Sequence, residues 1–291
     1  MRVLVAGATG YLGHHVVREL ADRGHTVRAL ARDPSRLGDL ADLVDETVTA
    51  DATDPAGLVG CCADVDALFS SIGIVGTPPR GVTYDDIDHG ANLNLLREAE
   101  SAGVGRFVYT SVFAPGMDDL KVVRAKRAFE RDLERSPIAC RILRPNGFFS
   151  DIDAFLSMAR RGRAFVFGPG ATGSGELRMN PIHGADVAVA AADAAEGSDD
   201  GEPVLSLGGP DVLTHVEIAG LAFSAIDRSA KVTHLPAWTA RALVAALPRL
   251  TPQRVHGPAE FLLSVLSNDM VAPQTGTHRL ADHFAEAAET A

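Results

Sequence analysis

Basic residues are in short supply. Lysine and arginine number 27 against 38 aspartates and glutamates, a formal charge of −11. A broad nucleic-acid surface leaves a basic footprint, so that class is excluded, although a few cations and backbone N–H groups still suffice for an anionic ligand. Cysteine is scarce as well. Cys61, Cys62 and Cys140 form no zinc-type spacing, so no metal is expected. They read as small buried side chains suited to a reducing cytoplasm. No apolar run approaches the ~18 residues of a membrane span. Even "ADVAVAAADAA" carries two aspartates, and the first residues enter a strand pattern without a basic-then-apolar leader. G-x-S-x-G, zinc-protease and Walker motifs are missing. His14-His15 is no metal site, because adjacent helix residues point apart. His278 and His283 read as surface residues.

What is present is apolar and ordered. The chain is 46% hydrophobic over 291 residues, enough for a substantial core. Short β-rich runs alternate with helical patterns. "RVLVA" (2–6), "HTVRALA" (25–31), "DETVTA", "DALFSSIGI" (66–74), "RFVYTSV" (106–112) and "IACRILR" (138–144) read as strands. Between them lie a helix through about Arg23, short proline-started helices after Asp33 and Asp54, and helices over about Tyr84–Ala102 and Leu120–Glu134. Repeated βα units with continuously apolar strands predict an α/β, Rossmann-type doubly wound parallel sheet. Residues 1–150 form the expected core and 151–291 a smaller, interleaved C-terminal part, some of whose segments return to the core. In that part "AFVFGPG" and "PVLSLGG" read as strands. Helices are expected over Ala185–Ala195, His215–Ile226, Trp238–Leu247 and Glu260–Leu266, and "EAAETA" as a frayed tail. The glycine-rich stretch 161–184 reads as a flap or an ordinary surface loop.

"VLVAGATGYLGHHV" sets Gly7, Gly10 and Gly13 between the first strand and the first helix. Gly7 permits the tight turn, Gly10 lets backbone approach a pyrophosphate, and Gly13 allows close helix–sheet packing. The helix N-terminus adds N–H groups and partial positive charge. The second strand then distinguishes the cofactors. Where an NAD binder carries an acidic residue, this chain has Ala31 followed by Arg32, which can pair with a 2′-phosphate. NADP(H) is therefore favoured over NAD(H), with Asp33 as the competing ribose ligand. Arg28 and Arg36 read as solvated surface residues, and Arg80 as a surface arginine that could also meet a phosphate.

These motifs, with "ADATDP", "GVGRFVYTS", "AKRAFERDLERS", "RILRPNGFF" and "PIHGADVA", resemble the atypical, NmrA-like branch of the short-chain dehydrogenase/reductase superfamily. The resemblance covers most of the chain. It implies cofactor contacts from Thr9, Tyr11 and Leu12 of the glycine turn, and from Asp51 and Ala52 at the adenine. It also implies contacts from Ser71, Ile72 and Gly73 (after Ser70) at the riboses, and from Pro145, Asn146 and Phe148 (around Gly147) at the nicotinamide. Asp186 is read as a helix N-cap. The family's Ser-Tyr-Lys unit maps onto Ser111, which would polarise a substrate oxygen, and Lys126, which would fix the nicotinamide ribose. The tyrosine position is Val122.

Valine donates no proton, and loss of a positioned acid costs roughly 10²–10⁴-fold, about 3–5 kcal/mol. Three readings stay open. The chain is an oxidoreductase that reduces a small, largely apolar carbonyl, enone or quinone with another acid, for which Tyr84, Lys121 and His183 are candidates. It is a sensor of the NADP⁺/NADPH ratio. Or it holds the cofactor structurally beside a binding module. The expected partner is a small molecule, with neither nucleic acid nor membrane, and association with further copies of the chain is left open.

Overall fold

Val3, Leu4, Val5 and Ala6 are all buried, so the first strand has no wet face. That is the consequence of a continuous apolar run, and it forces helices onto both sides of the sheet. The computed structural model describes residues 1–168, 177–198, 201–236, 238–239, 242–243, 245–246 and 253–289. Its strands are β1 (Arg2–Ala6), β2 (Thr26–Ala31), β3 (Glu46–Thr49), β4 (Ala67–Ser70), β5 (Arg106–Thr110), β6 (Ala139–Pro145), β7 (Ala164–Gly168), β8 (Arg178–Met179), β9 (Val204–Leu207), β10 (Leu213–Thr214) and β11 (Val232–Pro236). Seven of them form one sheet in the order β3-β2-β1-β4-β5-β6-β9, and the pairs from β3 to β6 are parallel. The chain direction across the sheet reverses between β1 and β4, the switch point where such sheets open a crevice at their carboxyl ends.

Alternation along the strands feeds two layers. Leu4 and Ala6 join Leu68, Phe107, Tyr109 and Ile142 in a core with Leu95, Phe129 and Leu133, which come from α2 (Asn92–Ala102) and α3 (Lys121–Arg135). Helices α1 (Tyr11–Asp22) and α5 (Gly184–Glu196) pack on each other. Arg23, just past α1, binds Glu19, Asp193 and Glu196, tying the two helix ends together.

The chain divides into two compact units. The first comprises Met1–Val112, Lys121–Arg144 and Gly184–Leu205; the second comprises Phe113–Leu120, Pro145–His183 and Ser206–Ala291. In the second unit α4 (Phe149–Arg160) buries Phe149, Ile152, Phe155, Leu156 and Ala159. It packs on α6 (His215–Ser224) and on the closing helix Leu280–Glu289. The α6 N-terminus is a capping box, Thr214 with Glu217. A buried amide pair holds the surrounding loops. Asn146 donates to Asn180 and to the Met270 carbonyl, and Asn180 donates to the Gly209 and Ala272 carbonyls.

Several expectations are corrected here. The stretch 84–102 is not one α-helix, because a π-helical turn, Asp85–Ala91, precedes α2. Strand β11 pairs in parallel with β7, a pairing the sequence did not announce. The tail "EAAETA" is helical through Glu289. Asp186 is the third residue of α5 and not its cap, a position where a carboxylate suits the helix dipole. His283 is no surface residue. It bonds Asp153 at 2.8 Å and packs on Phe149. Residues 169–176 of the glycine-rich stretch lie outside the described residues, as does much of the expected helix Trp238–Leu247. Among the described residues no helix is long and apolar enough to cross a membrane.

His215, buried at the start of α6, leaves Nε2 without a hydrogen-bond partner. Burial lowers its pKa from 6.5 to about 4. Between those values the unfolded chain binds a proton that the folded chain refuses. Stability is therefore full above the unfolded value and is lost as pH falls toward the folded one, by up to about 3 kcal/mol. His215→Gln is expected to flatten that part of the profile, measured by urea unfolding in steps from pH 7 to pH 4.

Candidate active site

At the end of β1 the backbone turns through Gly7 with φ +89°. A side chain there would be strained, and its Cβ would lie 2.7 Å from Ser71 Oγ. Gly10 N–H donates to the Gly7 carbonyl at 2.9 Å and stands at the N-cap of α1. No side chain caps that helix and no acidic residue occupies its first turn, so its opening amides and dipole are available to an anion. Gly13 completes the crossing, since a Cβ there would sit 2.0 Å from the Gly7 carbonyl oxygen. This cradle fits a pyrophosphate. Thr9 is half-buried, Leu12 turns into the core, and Tyr11 extends outward with its hydroxyl accepting from Gly184 N–H at 3.1 Å.

Arg32 follows β2 and is exposed. Asp33, its competitor, accepts from both the Ser35 hydroxyl and N–H, which hold its carboxyl below the ordinary value. Asp51 behaves alike toward Thr53, whose N–H and hydroxyl lower its pKa, with the Arg32 charge adding to them. Ala52 is buried and offers its carbonyl to Asn94. Arg28 is not the solvated residue expected. It pairs with Glu46 and caps the carbonyls of Cys61 and Ala63.

Beyond β4 the chain passes Ser71, Ile72 and Gly73 at the carboxyl edge. Ser71 N–H continues the sheet pattern to the Ala6 carbonyl, and Ser70 is tied to Asn92 beneath. A Cβ on Gly73 would meet Asp88 Oδ1 at 2.7 Å and Lys126 Nζ at 3.0 Å. Those two atoms lie 3.0 Å apart, and Asp88 is fully buried on the π-helical turn. Lys126 Nζ also lies 5.6 Å from the centroid of the Tyr109 ring, which packs edge-on against Phe129. Burial pushes the Asp88 carboxyl up, against the pull of Lys126 and of the Ile74 N–H. Burial likewise works against the ammonium, but the adjacent Asp88 carboxylate outweighs it and holds Lys126 above its ordinary value. The 3.0 Å contact decides between these tendencies in favour of an ion pair. Tyr109 itself is pushed up to about 12 by burial and stays a neutral phenol.

Residues 7–198 match the NAD(P)H-binding family. The chain belongs to that family. Among its relatives, divinyl chlorophyllide a 8-vinyl-reductase of Zea mays, a chloroplastic protein, is 30% identical over 299 residues, covering 95% of this chain and 74% of the maize protein. Two solved structures share the fold. An NADPH-dependent quinone oxidoreductase of Escherichia coli, solved with NADPH, matches with a TM-score of 0.69 at 22% identity over 99% of both chains. Triphenylmethane reductase of Citrobacter sp. matches with a TM-score of 0.75 at 17% identity over the whole of both chains. The chain thus belongs to an NAD(P)H-binding, oxidoreductase-type family.

In this NAD(P)H-binding protein Ser111, Val122 and Lys126, the positions that the resemblance sets in a Ser-Tyr-Lys frame, all lie in the first unit. Val122 is half-buried on α3. Ser111 Oγ accepts from Arg127 at 3.1 Å and is hydrogen-bonded to Glu130. Glu130 is buried, yet Arg144, Ser111 and Arg127 keep its pKa below the ordinary value. The hydroxyl thus belongs to a part-buried Arg–Glu–Arg network that no local sequence pattern announced. Of the candidate acids, Lys121 is exposed at the start of α3, Tyr84 is buried ahead of the π-helical turn, and His183 stacks on His278 in the second unit. Pro145 ends β6. Asn146 spends its side chain on Asn180, Met270 and Gly147, and Phe148 precedes α4 and stays half-buried. Among the described residues no group of His, Cys, Asp or Glu is placed to hold a metal ion.

Asp88, Tyr109 and Asn92 were not anticipated. The available signal was that a lysine on the apolar side of an amphipathic helix needs a counter-ion. Removing only the cation should expose that dependence. Lys126→Met leaves the Asp88 carboxylate buried and uncompensated, with an expected loss of about 3–5 kcal/mol in urea unfolding. The Asp88→Asn/Lys126→Met double variant should recover most of that loss.

Proposed function

We propose that this protein is an NADPH-dependent oxidoreductase that delivers hydride to a small, largely apolar carbonyl, enone or quinone acceptor without a tyrosine acid. The observation that carries this reading is the Lys126–Asp88 pair held against Gly73, on the same carboxyl edge as the glycine turn. A side-chain-free glycine beside a fixed ammonium leaves room for a ribose and supplies its hydrogen-bond donor.

The roles follow. Gly7, Gly10 and Gly13 let the α1 amides receive the pyrophosphate, flanked by Thr9, Tyr11 and Leu12. Arg32 pairs with the 2′-phosphate, and with Asp33 engaged by Ser35 the competing acidic ligand is occupied. Asp51 and Ala52 border the adenine, and Ser71 and Ile72 the riboses. Lys126 orients the nicotinamide ribose, with Asp88 and Tyr109 holding the ammonium in position. NADPH supplies the hydride when bound. Quinones and enones suit a site whose acid is missing, because delocalisation lowers the need for proton transfer at the moment of reduction. The three free cysteines support a reducing cytoplasm as its setting.

A second reading draws on the Ser111 hydroxyl being engaged by Arg127 and Glu130 while Val122 fills the acid position. It makes the protein a non-catalytic sensor of the NADP(H) redox state.

Calorimetric titration with NADPH and NADP⁺, with NADH as control, separates the two. Similar affinity for both NADP forms, followed by NADPH oxidation in a quinone and enone screen, is expected of the enzyme. A large preference for one redox state with no oxidation establishes the sensor. Arg32→Ala should weaken NADPH binding about ten- to hundred-fold and leave NADH unchanged. Equal binding of NADH and NADPH by the unaltered protein would remove the role given to Arg32.

A further inference from the structure

Two of the three cysteines are neighbours in the loop that leads into β4, on the amino edge of the sheet and away from the glycine turn. In a helix or a strand the side chains of consecutive residues point apart. This loop is neither. Gly60 at φ +83° and Asp64 at φ +58° bend it back on itself, and the Cys61 and Cys62 Sγ atoms converge to 3.7 Å. Both thiols are buried, while Val59, Gly60, Ala63 and Asp64 on either side face solvent. The loop is pinned at two points. Glu98 of α2 accepts from the Gly60 N–H at 2.7 Å, and the Arg28 guanidinium donates to the Cys61 and Ala63 carbonyls at 2.9 and 2.7 Å. The hydrogen bond between the thiols lowers the Cys61 pKa and raises that of Cys62. Cys61 is therefore the first to become a thiolate, the form that attacks a soft centre.

Distance and ligand count decide what such a pair can hold. Consecutive α-carbons lie about 3.8 Å apart, below the span of roughly 4.4–6.8 Å that an unstrained disulfide takes. A tetrahedral Zn²⁺ with bonds of about 2.3 Å sets its sulfurs roughly 3.8 Å apart, close to the spacing found, but it asks for four ligands. Among the described residues no group of three His, Cys, Asp or Glu is placed to supply them. Trivalent arsenic asks for less. It is pyramidal and three-coordinate, keeps one substituent of its own, and needs only two sulfurs held close together. We propose that Cys61 and Cys62 form a chelating site for trivalent arsenicals, entered when the loop 59–66 opens. The reaction is a condensation. Two As–S bonds form, two S–H bonds and the arsenic–oxygen bonding of the oxide break, and the oxygen leaves with both thiol protons as water. No electrons are transferred, so neither an oxidant nor NADPH is consumed. Because the thiols are covered, entry depends on local opening of the loop, which the two Arg28 contacts oppose.

The test adds phenylarsine oxide to the full chain, reads the adduct by intact mass, and counts the thiols left to a maleimide after unfolding. One phenylarsine per chain is expected, with one of the three thiols still reactive. Preincubation with arsenite, the inorganic form, should prevent the adduct. A chelate is released by 2,3-dimercaptopropanol and not by glutathione at the same thiol concentration. Cys61→Ser and Cys62→Ser should each weaken binding about hundred-fold or more, because the second bond no longer closes within the chain. Cys140→Ser should change nothing. Arg28→Met leaves Glu46 with Arg2 as its partner and should speed adduct formation about ten-fold at unchanged stoichiometry. Absence of an adduct on the unaltered protein, full binding by either single variant, or release by glutathione overturns the proposal. So does the loss of two thiols without the mass of an arsine, which marks a disulfide. A rate indifferent to Arg28 overturns the loop as the way in.

Discussion

The approach of α1 to the turn at Gly7 is the constraint on which the first unit is built. A single methyl group at position 13 would overlap the Gly7 carbonyl, so the helix sits as low over the sheet as backbone allows. That height is inherited by its neighbour. Gly184, at the start of α5, meets the His15 ring and Tyr11 so closely that a Cβ would lie 2.3 Å from His15 Cδ2. Two glycine contacts thus seat α1 on the sheet and set α5 beside it in the same layer, and the Arg23 cluster fixes the far end of the same pair of helices. The anion-receptive amides of α1 are a by-product of this packing, because a helix start seated on a glycine turn has no side chain near enough to cap it.

The second governing interaction is electrostatic. Asp88 has no exposed surface, and a carboxylate buried there is tolerated only with Lys126 beside it. The π-helical turn is what aims Asp88 inward while Asp85 and Asp86 stay outside. π-Turns of this kind mark places where helix regularity yields to a site. The main-chain carbonyl of Asp88 receives Tyr109 and Asn92, so the turn, β5 and α2 are joined through one residue.

Much of the architecture was legible in the sequence because its signals are local. Apolar strands with glycine and proline punctuation gave the order of β1 to β6, and the glycine triplet located the switch point. What escaped was of two kinds. Helix α4 went unassigned although Phe149, Ile152, Phe155, Leu156 and Ala159 carry helical spacing, since the Gly-Phe-Phe run ahead of it reads equally as a loop. The pairings of β7 with β11 and of Asn146 with Asn180 join residues tens of positions apart, and no local pattern encodes them. In the candidate site, residue types and order were readable from the family resemblance. The partners of those residues were not. That Ser111 answers to Arg127 and Glu130, and that Arg28 is spent on Glu46 and two carbonyls, depends on which helix lies over which strand.

The division into units has a consequence for biosynthesis. The chain changes unit after residues 112, 120, 144, 183 and 205, so neither unit is a continuous stretch. During synthesis from the N-terminus, the first unit acquires its last segment once residue 205 has emerged. The second still awaits Ser206–Ala291, which includes α6, β11 and the closing helix that covers α4. Until then Phe149, Phe155 and Leu156 lack part of their cover and expose an apolar face of the kind that chaperones hold. A chain truncated after residue 205 would therefore hold every segment of its first unit and lack the last segment of the second.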